Sequence, residues 1–194
     1  MRTTHLLYLH GFRSSPASTK ARILTQWVPR HWPGVTWCCP QLEPSPRGAM
    51  QSVLRQIADW PAQSMAVTGS SLGGFYATVV AEKLGCKAVL LNPAIEPERD
   101  LVRYVGETKA WHSDEHFEFR AEFIDELRAM HPSAITRPAR YFAVIAKGDE
   151  VLDWREMTAR YAGCKIELIE GGDHALSDFT SHLPAIARFL EVGS

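Results

Sequence analysis

Cysteine is scarce, and its spacing gives it no chemical role. Cys38 and Cys39 are adjacent, Cys86 and Cys164 stand alone, and no Cys-x-x-Cys pair occurs. A disulfide framework is not expected, and the four read as small buried residues of a reducing cytoplasm. Charge of one sign is missing too. Lys+Arg 21 against Asp+Glu 22 leaves no electrostatic reason to expect a nucleic acid or an anionic membrane as partner. No apolar run approaches the length of a membrane span. The chain passes from Met1-Arg2-Thr3-Thr4 almost directly into an apolar run, so no secretion signal is expected and the cytoplasm is the expected location. There are no internal repeats and no low-complexity tracts. What remains is 194 residues, 45% hydrophobic, enough for one domain with a real core and too few for two. A single domain over residues 1–194 is expected.

The most informative stretch is residues 65–85. An apolar run, Met65-Ala66-Val67-Thr68, leads into Gly69-Ser70-Ser71-Leu72-Gly73-Gly74 and then a helical pattern with Phe75, Val79, Val80 and Leu84 on one face. That is strand, sharp turn, helix, and the turn spells Gly-x-Ser-x-Gly around Ser71. A serine so placed has its hydroxyl lifted out of the sheet by a strained turn. Ser70 is the rival, but its neighbours two away are Thr68 and Leu72, so it lacks the flanking glycines. By composition alone such a pattern arises in roughly one in ten or twenty chains of this size, so its setting carries the weight. The bland alternative is a glycine-rich turn with an idle serine. A nucleotide site is a poor fit, because the turn lacks the P-loop lysine and the Gly-x-Gly-x-x-Gly spacing.

Along the chain, apolar runs predict strands at 5–9, 35–38, 65–68, 87–91, 139–146 and 164–169. Helical spacing predicts helices from Ser18 as N-cap to Val28, ended by Pro29 and Pro33-Gly34, and at 49–60, 154–161 and 179–190, the last interrupted near Pro184. Pro40 closes the second strand, and residues 41–48, with Pro44 and Pro46, read as loop. Strands alternate with helices, so an α/β fold is expected, with a mostly parallel sheet covered by helices on both faces. Residues 95–136 change character, mixing charge with aromatics, and only 119–130 has clear helical spacing. They read as a helical insertion, a partial lid over one end of the sheet.

In such sheets active groups sit at the carboxyl ends of the strands. His10-Gly11-Phe12 ends the first strand, Ser71 the third, Asp149 the fifth and His174 the sixth. Serine, aspartate and histidine in that order is the arrangement of α/β-hydrolases. Ser71 needs a base to become a nucleophile, His174 can serve because an unperturbed imidazole changes charge near neutrality, and Asp149 would orient its ring. The tetrahedral intermediate needs two donors. The backbone N–H of Leu72, at a helix start, is the first expected; that of Phe12, in the first loop, is the second.

Each position has a plainer reading. His10 is expected to shape its loop rather than react. Asp149 competes with Glu150, read as solvent-facing, and Asp153, read as an N-cap. His174 competes with His182, read as a helix surface residue, while Asp173 reads as a simple loop residue. His112, His116 and His131 lack metal-like spacing and read as surface or lid residues. The aromatics of residues 104–123 read first as core and second as the wall of an acyl pocket.

His10-Gly11-Phe12-Arg13-Ser14-Ser15-Pro16, Gly69-Ser70-Ser71-Leu72-Gly73-Gly74-Phe75, Asn92-Pro93-Ala94, Gly148-Asp149-Glu150-Val151 and Gly172-Asp173-His174 together resemble the small bacterial YqiA-like esterases of the α/β-hydrolase superfamily. The likeness runs from the first strand to the last loop and is weakest over 95–136. It implies a cytoplasmic carboxylic-ester hydrolase, a triad at Ser71, Asp149 and His174, no cofactor, and a preference for short acyl esters. Compared with larger relatives the chain looks minimal, without the antiparallel strands that precede the His-Gly strand. Two other functions share these residues: an acyl thioesterase, using the same machinery on a better leaving group, and a non-catalytic hydrolase-like binding module, which would have no need of an intact triad.

Overall fold

A computed structural model describes residues 2–109 and 116–193. Six strands, β1 (His5–Leu9), β2 (Thr36–Cys38), β3 (Met65–Ser70), β4 (Lys87–Leu91), β7 (Tyr141–Ala146) and β8 (Lys165–Ile169), form one sheet in the order β2-β1-β3-β4-β7-β8. Every pairing in it is parallel. The expected doubly covered parallel sheet is therefore the one observed, and the three central strands are buried along almost their whole length.

The period of two along each strand divides the core. Leu7, Leu9, Val67, Leu90, Ala143 and Ile145 face one layer, built on α2 (Pro46–Gln56), α3 (Leu72–Leu84), α5 (Ala121–Met130) and α6 (Trp154–Arg160). Leu6, Tyr8, Ala66, Val89, Leu91, Phe142 and Val144 face the other, built on α1 (Thr19–His31) and α7 (Leu183–Leu190). Strands buried on both faces read as continuous apolar runs, which is why β1, β3, β4 and β7 are plain in the sequence, while the edge strands β2 and β8 are only partly buried.

Element ends differ from the reading in instructive ways. α2 begins at Pro46, inside the stretch read as loop, because Ser45 caps it by accepting from Gly48 N and a proline is tolerated at a helix start. Pro29 does not end α1 but sits inside it, two residues before its last. Pro184 does not interrupt a helix. It occupies the first turn of α7, after a 3₁₀ turn at Phe179–His182. His182 is not on the surface: it is buried, its Nδ1 lies 2.8 Å from Glu167 Oε1, and its Nε2 is 3.3 Å from Asp178 Oδ1.

Residues 95–136 are not purely helical. They hold the short helix α4 (Pro97–Leu101), an antiparallel ribbon of β5 (Gly106–Lys109) and β6 (His116–Phe119), and then α5. The ribbon takes Phe119, which helical spacing had assigned to the following helix. Phe119 and Phe123 are core residues, as expected, and half-buried Tyr104 and Phe117 pack against that core. Trp111 and His112 lie outside the described residues. Among the described residues no helix is long and apolar enough to cross a membrane.

Candidate active site

β3 and α3 meet at Ser71, which takes φ 57° and ψ −122°. For a residue with a Cβ this is a strained conformation. It is held by hydrogen bonds on both sides. Ser71 N donates to Leu91 O at 3.0 Å, and Ser71 O accepts from Gly74 N and Ala94 N at 2.8 and 3.0 Å. Its side chain emerges at the carboxyl edge of the sheet and reaches His174. Ser70, the rival serine, is the last residue of β3 and is buried in the sheet.

The Ser71 Oγ lies 3.1 Å from His174 Nε2, and His174 Nδ1 lies 2.8 Å from Asp149 Oδ2. The Asp149 side chain is 0% exposed and that of His174 22%. The other carboxylate oxygen of Asp149 accepts from Val151 N and Leu152 N, both at 2.8 Å. Its acceptors are thus committed and its rotamer fixed. A carboxylate at Nδ1 can only accept, so Nδ1 carries the ring hydrogen and Nε2 presents its lone pair to the serine hydroxyl. Asp153 caps α6, accepting from Arg155 N at 2.8 Å, as expected.

Leu72 is the first residue of α3, so its N–H has no partner within the helix. Among the described residues neither the Leu72 N–H nor the Phe12 N–H donates to any group. The loop bearing Phe12 lies directly on the nucleophile, since a Cβ at position 11 would come within 3.3 Å of Ser71 Cβ. The five residues expected to act together, Ser71, Asp149, His174, Phe12 and Leu72, therefore meet at one edge of the sheet. A family model described as "Uncharacterised protein family (UPF0227)" matches residues 5–191.

The chain belongs to the UPF0227 family.

Its similarity to curated members spans nearly the whole length. It is 26% identical over 193 residues to a UPF0227 protein of Shewanella sp. (strain MR-4), covering 95% of this chain and 98% of that one. It is 24% identical over 195 residues to one of Yersinia pestis bv. Antiqua (strain Angola), covering 97% and 99%. Among solved structures it is similar to mouse alpha/beta hydrolase domain-containing protein 10, with a TM-score of 0.69 at 15% identity over 97% of this chain and 91% of that one. It is also similar to Est1E from Butyrivibrio proteoclasticus bound to ferulic acid, with a TM-score of 0.67 at 14% identity over 98% and 88%. The fold of this UPF0227 chain is that of the α/β-hydrolases.

Two neighbours of the UPF0227 site were not singled out as parts of it from the sequence. Glu150, read as a solvent-facing residue, accepts from the backbone N–H of His174 at 2.9 Å. Lys20, from α1, donates to Ala175 O, the carbonyl just after His174. Both hold the histidine loop through its backbone, and no local sequence pattern signals such a contact. Burial pushes the Lys20 ammonium down from 10.5 to about 8, against the opposing pull of Asp173 and Asp149. The unfolded chain therefore holds a proton here that the folded chain releases between about pH 8 and 10.5. Lys20's contribution to stability is fully present above 10.5 and is lost as pH falls through about 8. The melting-temperature difference between wild type and Lys20→Met is accordingly expected to move in favour of wild type as pH rises across that window. Calorimetry at pH 7, 8.5 and 10 checks it, and a constant difference would refute it.

His10 is buried at the strand end and shapes its loop. Its Nε2 accepts from Leu42 N at 3.1 Å, so its Nδ1 donates to Gly11 O, also at 3.1 Å. Burial lowers its pKa, which keeps it neutral. Asp173 closes the loop after the histidine, accepting from Ser177 N and Oγ, and the hydroxyl holds its carboxyl below the usual range. The four cysteines are free; Cys86 is buried, while the other three are only half-buried. Burial pushes the thiols of Cys39 and Cys86 up to about 12 and raises those of Cys38 and Cys164, so none is a competing nucleophile.

Spacing gave His131 no metal partners, yet the fold brings it beside Glu96 and Glu98, with ligand atoms up to 4.8 Å apart. His131 is occupied otherwise: its Nε2 donates to Ile95 O at 2.8 Å, tying the end of α5 to the chain leaving β4.

Proposed function

We propose that this UPF0227 chain is a serine carboxylic-ester hydrolase that acts on small or short-acyl esters through an acyl-enzyme at Ser71. The observation that carries this reading is the unbroken relay from Ser71 Oγ to His174 to the buried Asp149 carboxylate. Ser71 Oγ attacks the ester carbonyl while His174 Nε2 takes its proton. The carbonyl oxygen becomes an oxyanion facing the N–H groups of Phe12 and Leu72. The carbon–oxygen bond to the alcohol then breaks, and the alcohol leaves with the proton from His174. Water, deprotonated by the same nitrogen, attacks the acyl-serine, releasing the acid and restoring the Ser71 hydroxyl. Every group needed is supplied by the chain, so the reaction calls on no cofactor.

Solved esterases with this fold support the class of reaction, among them an esterase of Pyrococcus furiosus at a TM-score of 0.64 and 14% identity and the esterase domain of a Rhodothermus marinus protein at 0.66 and 18%. The insertion at 95–136 is proposed as a partial cover. Its Tyr104, Phe117 and Phe119 rings lie 5.2, 6.2 and 5.0 Å from that of Phe12, walling the oxyanion loop with aromatic surface. Aromatic surface beside the oxyanion loop suits a small acyl group. The balanced charge of the chain favours a small-molecule ester as partner, with no nucleic acid or membrane surface, and the scarce, unpaired cysteines favour the cytoplasm.

Hydrolysis of p-nitrophenyl esters across acyl lengths tests the reading. Rates should be highest at acetate to butyrate and fall beyond; a maximum at long chains would overturn the short-acyl part. Asp149→Asn should lower kcat by about 10⁴-fold with little change in KM, because an amide in place of the carboxylate favours the wrong histidine tautomer. A loss under tenfold would remove Asp149 from the mechanism.

A further inference from the structure

Asn92 follows β4 directly, and no part of its side chain is used by the chemistry above. It is completely buried, at 0% exposure, and adopts a positive φ of 42°. Asparagine tolerates that conformation better than most residues, but it remains a cost that something must offset. Its own backbone N–H donates to Val144 O at 3.0 Å, seating it on β7. Its carboxamide then reaches two ways. Oδ1 accepts from Ala146 N, the last residue of β7, at 2.8 Å. Nδ2 donates to Asp173 O at 3.0 Å and to His174 O at 3.3 Å.

The choice of partners is the telling point. All three are backbone groups of the two segments that carry Asp149 and His174. Ala146 O accepts from Asp149 N at 3.2 Å, so the residue Asn92 holds is itself bonded to the triad acid. We propose that Asn92 is a positioning residue for the catalytic pair. Its carboxamide sets the distance between the strand end that delivers Asp149 and the loop that delivers His174. This rests on the esterase reading for its catalytic consequence, though not for the geometry itself.

The residue type follows from the task. The site needs one acceptor toward β7 and two donor hydrogens toward the histidine loop, at short reach. Only a carboxamide offers both, and Gln would be one methylene too long. Aspartate has the same shape and keeps the acceptor for Ala146 N, but turns an anion toward two carbonyl oxygens. Asn92→Asp therefore cuts the histidine arm and leaves the aspartate arm. Glu150 and Lys20 still hold the loop, so the expected result is drift of the imidazole rather than collapse. A displacement of about 1 Å at a catalytic group costs on the order of 10²-fold in rate.

The test compares Asn92→Asp and Asn92→Ala with Tyr161→Phe. Tyr161 forms a fully buried hydrogen bond with Thr78 at 2.8 Å under α3, and it touches neither His174 nor Asp149. It controls for loss of stability alone. Three readouts are taken: circular dichroism melts, kcat and KM on p-nitrophenyl acetate, and the His174 Nδ1–H proton resonance, which lies far downfield when that hydrogen bonds a carboxylate. Both Asn92 variants should fold, lose about 10²-fold in kcat with KM changed less than threefold, and show the resonance shifted upfield or broadened away. Tyr161→Phe should melt lower and keep wild-type kcat and resonance.

Folded Asn92 variants with wild-type kcat and resonance would overturn the proposal. So would a Tyr161→Phe loss of kcat as large as theirs, or failure of both Asn92 variants to fold, which would make the contact one that merely holds the structure. If the wild type hydrolyses no ester, the esterase reading fails by itself. The resonance still decides whether Asn92 aligns His174 with Asp149.

Discussion

Ser71→Ala is expected to lower kcat for p-nitrophenyl acetate by on the order of 10⁶-fold while leaving the fold intact. Among the described residues the hydroxyl has one hydrogen-bond partner, His174 Nε2 at 3.1 Å, so its removal leaves no buried group of theirs unsatisfied except the imidazole, which retains some access to solvent. The turn at φ 57° was already strained with a Cβ in place, and alanine adds none. The melting temperature should therefore stay within a few degrees of wild type or rise slightly, as active-site substitutions at strained positions often do. What activity remains should reflect binding and the two oxyanion donors, which act without the nucleophile. A variant with more than a tenth of wild-type activity would mean that another residue attacks the ester. No cysteine is placed or ionised to do so.

The second large effect is on folding. Gly73→Ala should cost more than about 4 kcal/mol, the size of change that removes most of a small domain's stability. A Cβ at position 73 would lie 1.9 Å from Leu9 O and 2.7 Å from His10 O; one at position 69 would lie 1.9 Å from Gly73 O. All of these are backbone atoms, so no rotamer change relieves the clash. α3 would have to lift off β1 and β3, two adjacent strands of the sheet. The shift would also pull the loop of Phe12 away from Ser71, so any folded fraction should lack activity. Urea unfolding of Gly73→Ala and Gly69→Ala measures this. A midpoint unchanged for either would show that the helix does not pack as closely on the strand as the structure has it.

The parts legible in the sequence were those written in local pattern. Four strands buried on both faces, β1, β3, β4 and β7, appear as apolar runs, and the strained turn at Ser71 appears as its two flanking glycines. Topology then did the long-range work. Once the sheet is parallel, residues leaving strand ends share an edge, which is how Asp149 and His174 could be matched to Ser71 across 78 and 103 positions, the latter the separation of the bonded pair. Where the reading failed, tertiary context outweighed local signal. His182 sits at helical spacing that suits a surface, yet two carboxylates from β8 and the preceding turn make a buried place for it. The ribbon β5–β6 is short and rich in charge, so its alternation is faint and the helical pattern after it spread backward over Phe119. Glu150, Lys20 and Asn92 act on backbone carbonyls and N–H groups of distant loops. Contacts to backbone leave no mark in the partner's residue type, so sequence alone does not show them.

The most direct test of the central claim is to mix the protein with p-nitrophenyl acetate, quench in acid within the first turnover, and map the adduct by peptide mass spectrometry. The account predicts one acetyl group per chain, carried by Ser71, present in wild type and absent in Ser71→Ala. Acetyl found on another residue, or steady hydrolysis with no covalent adduct under conditions where deacylation limits the rate, would contradict it.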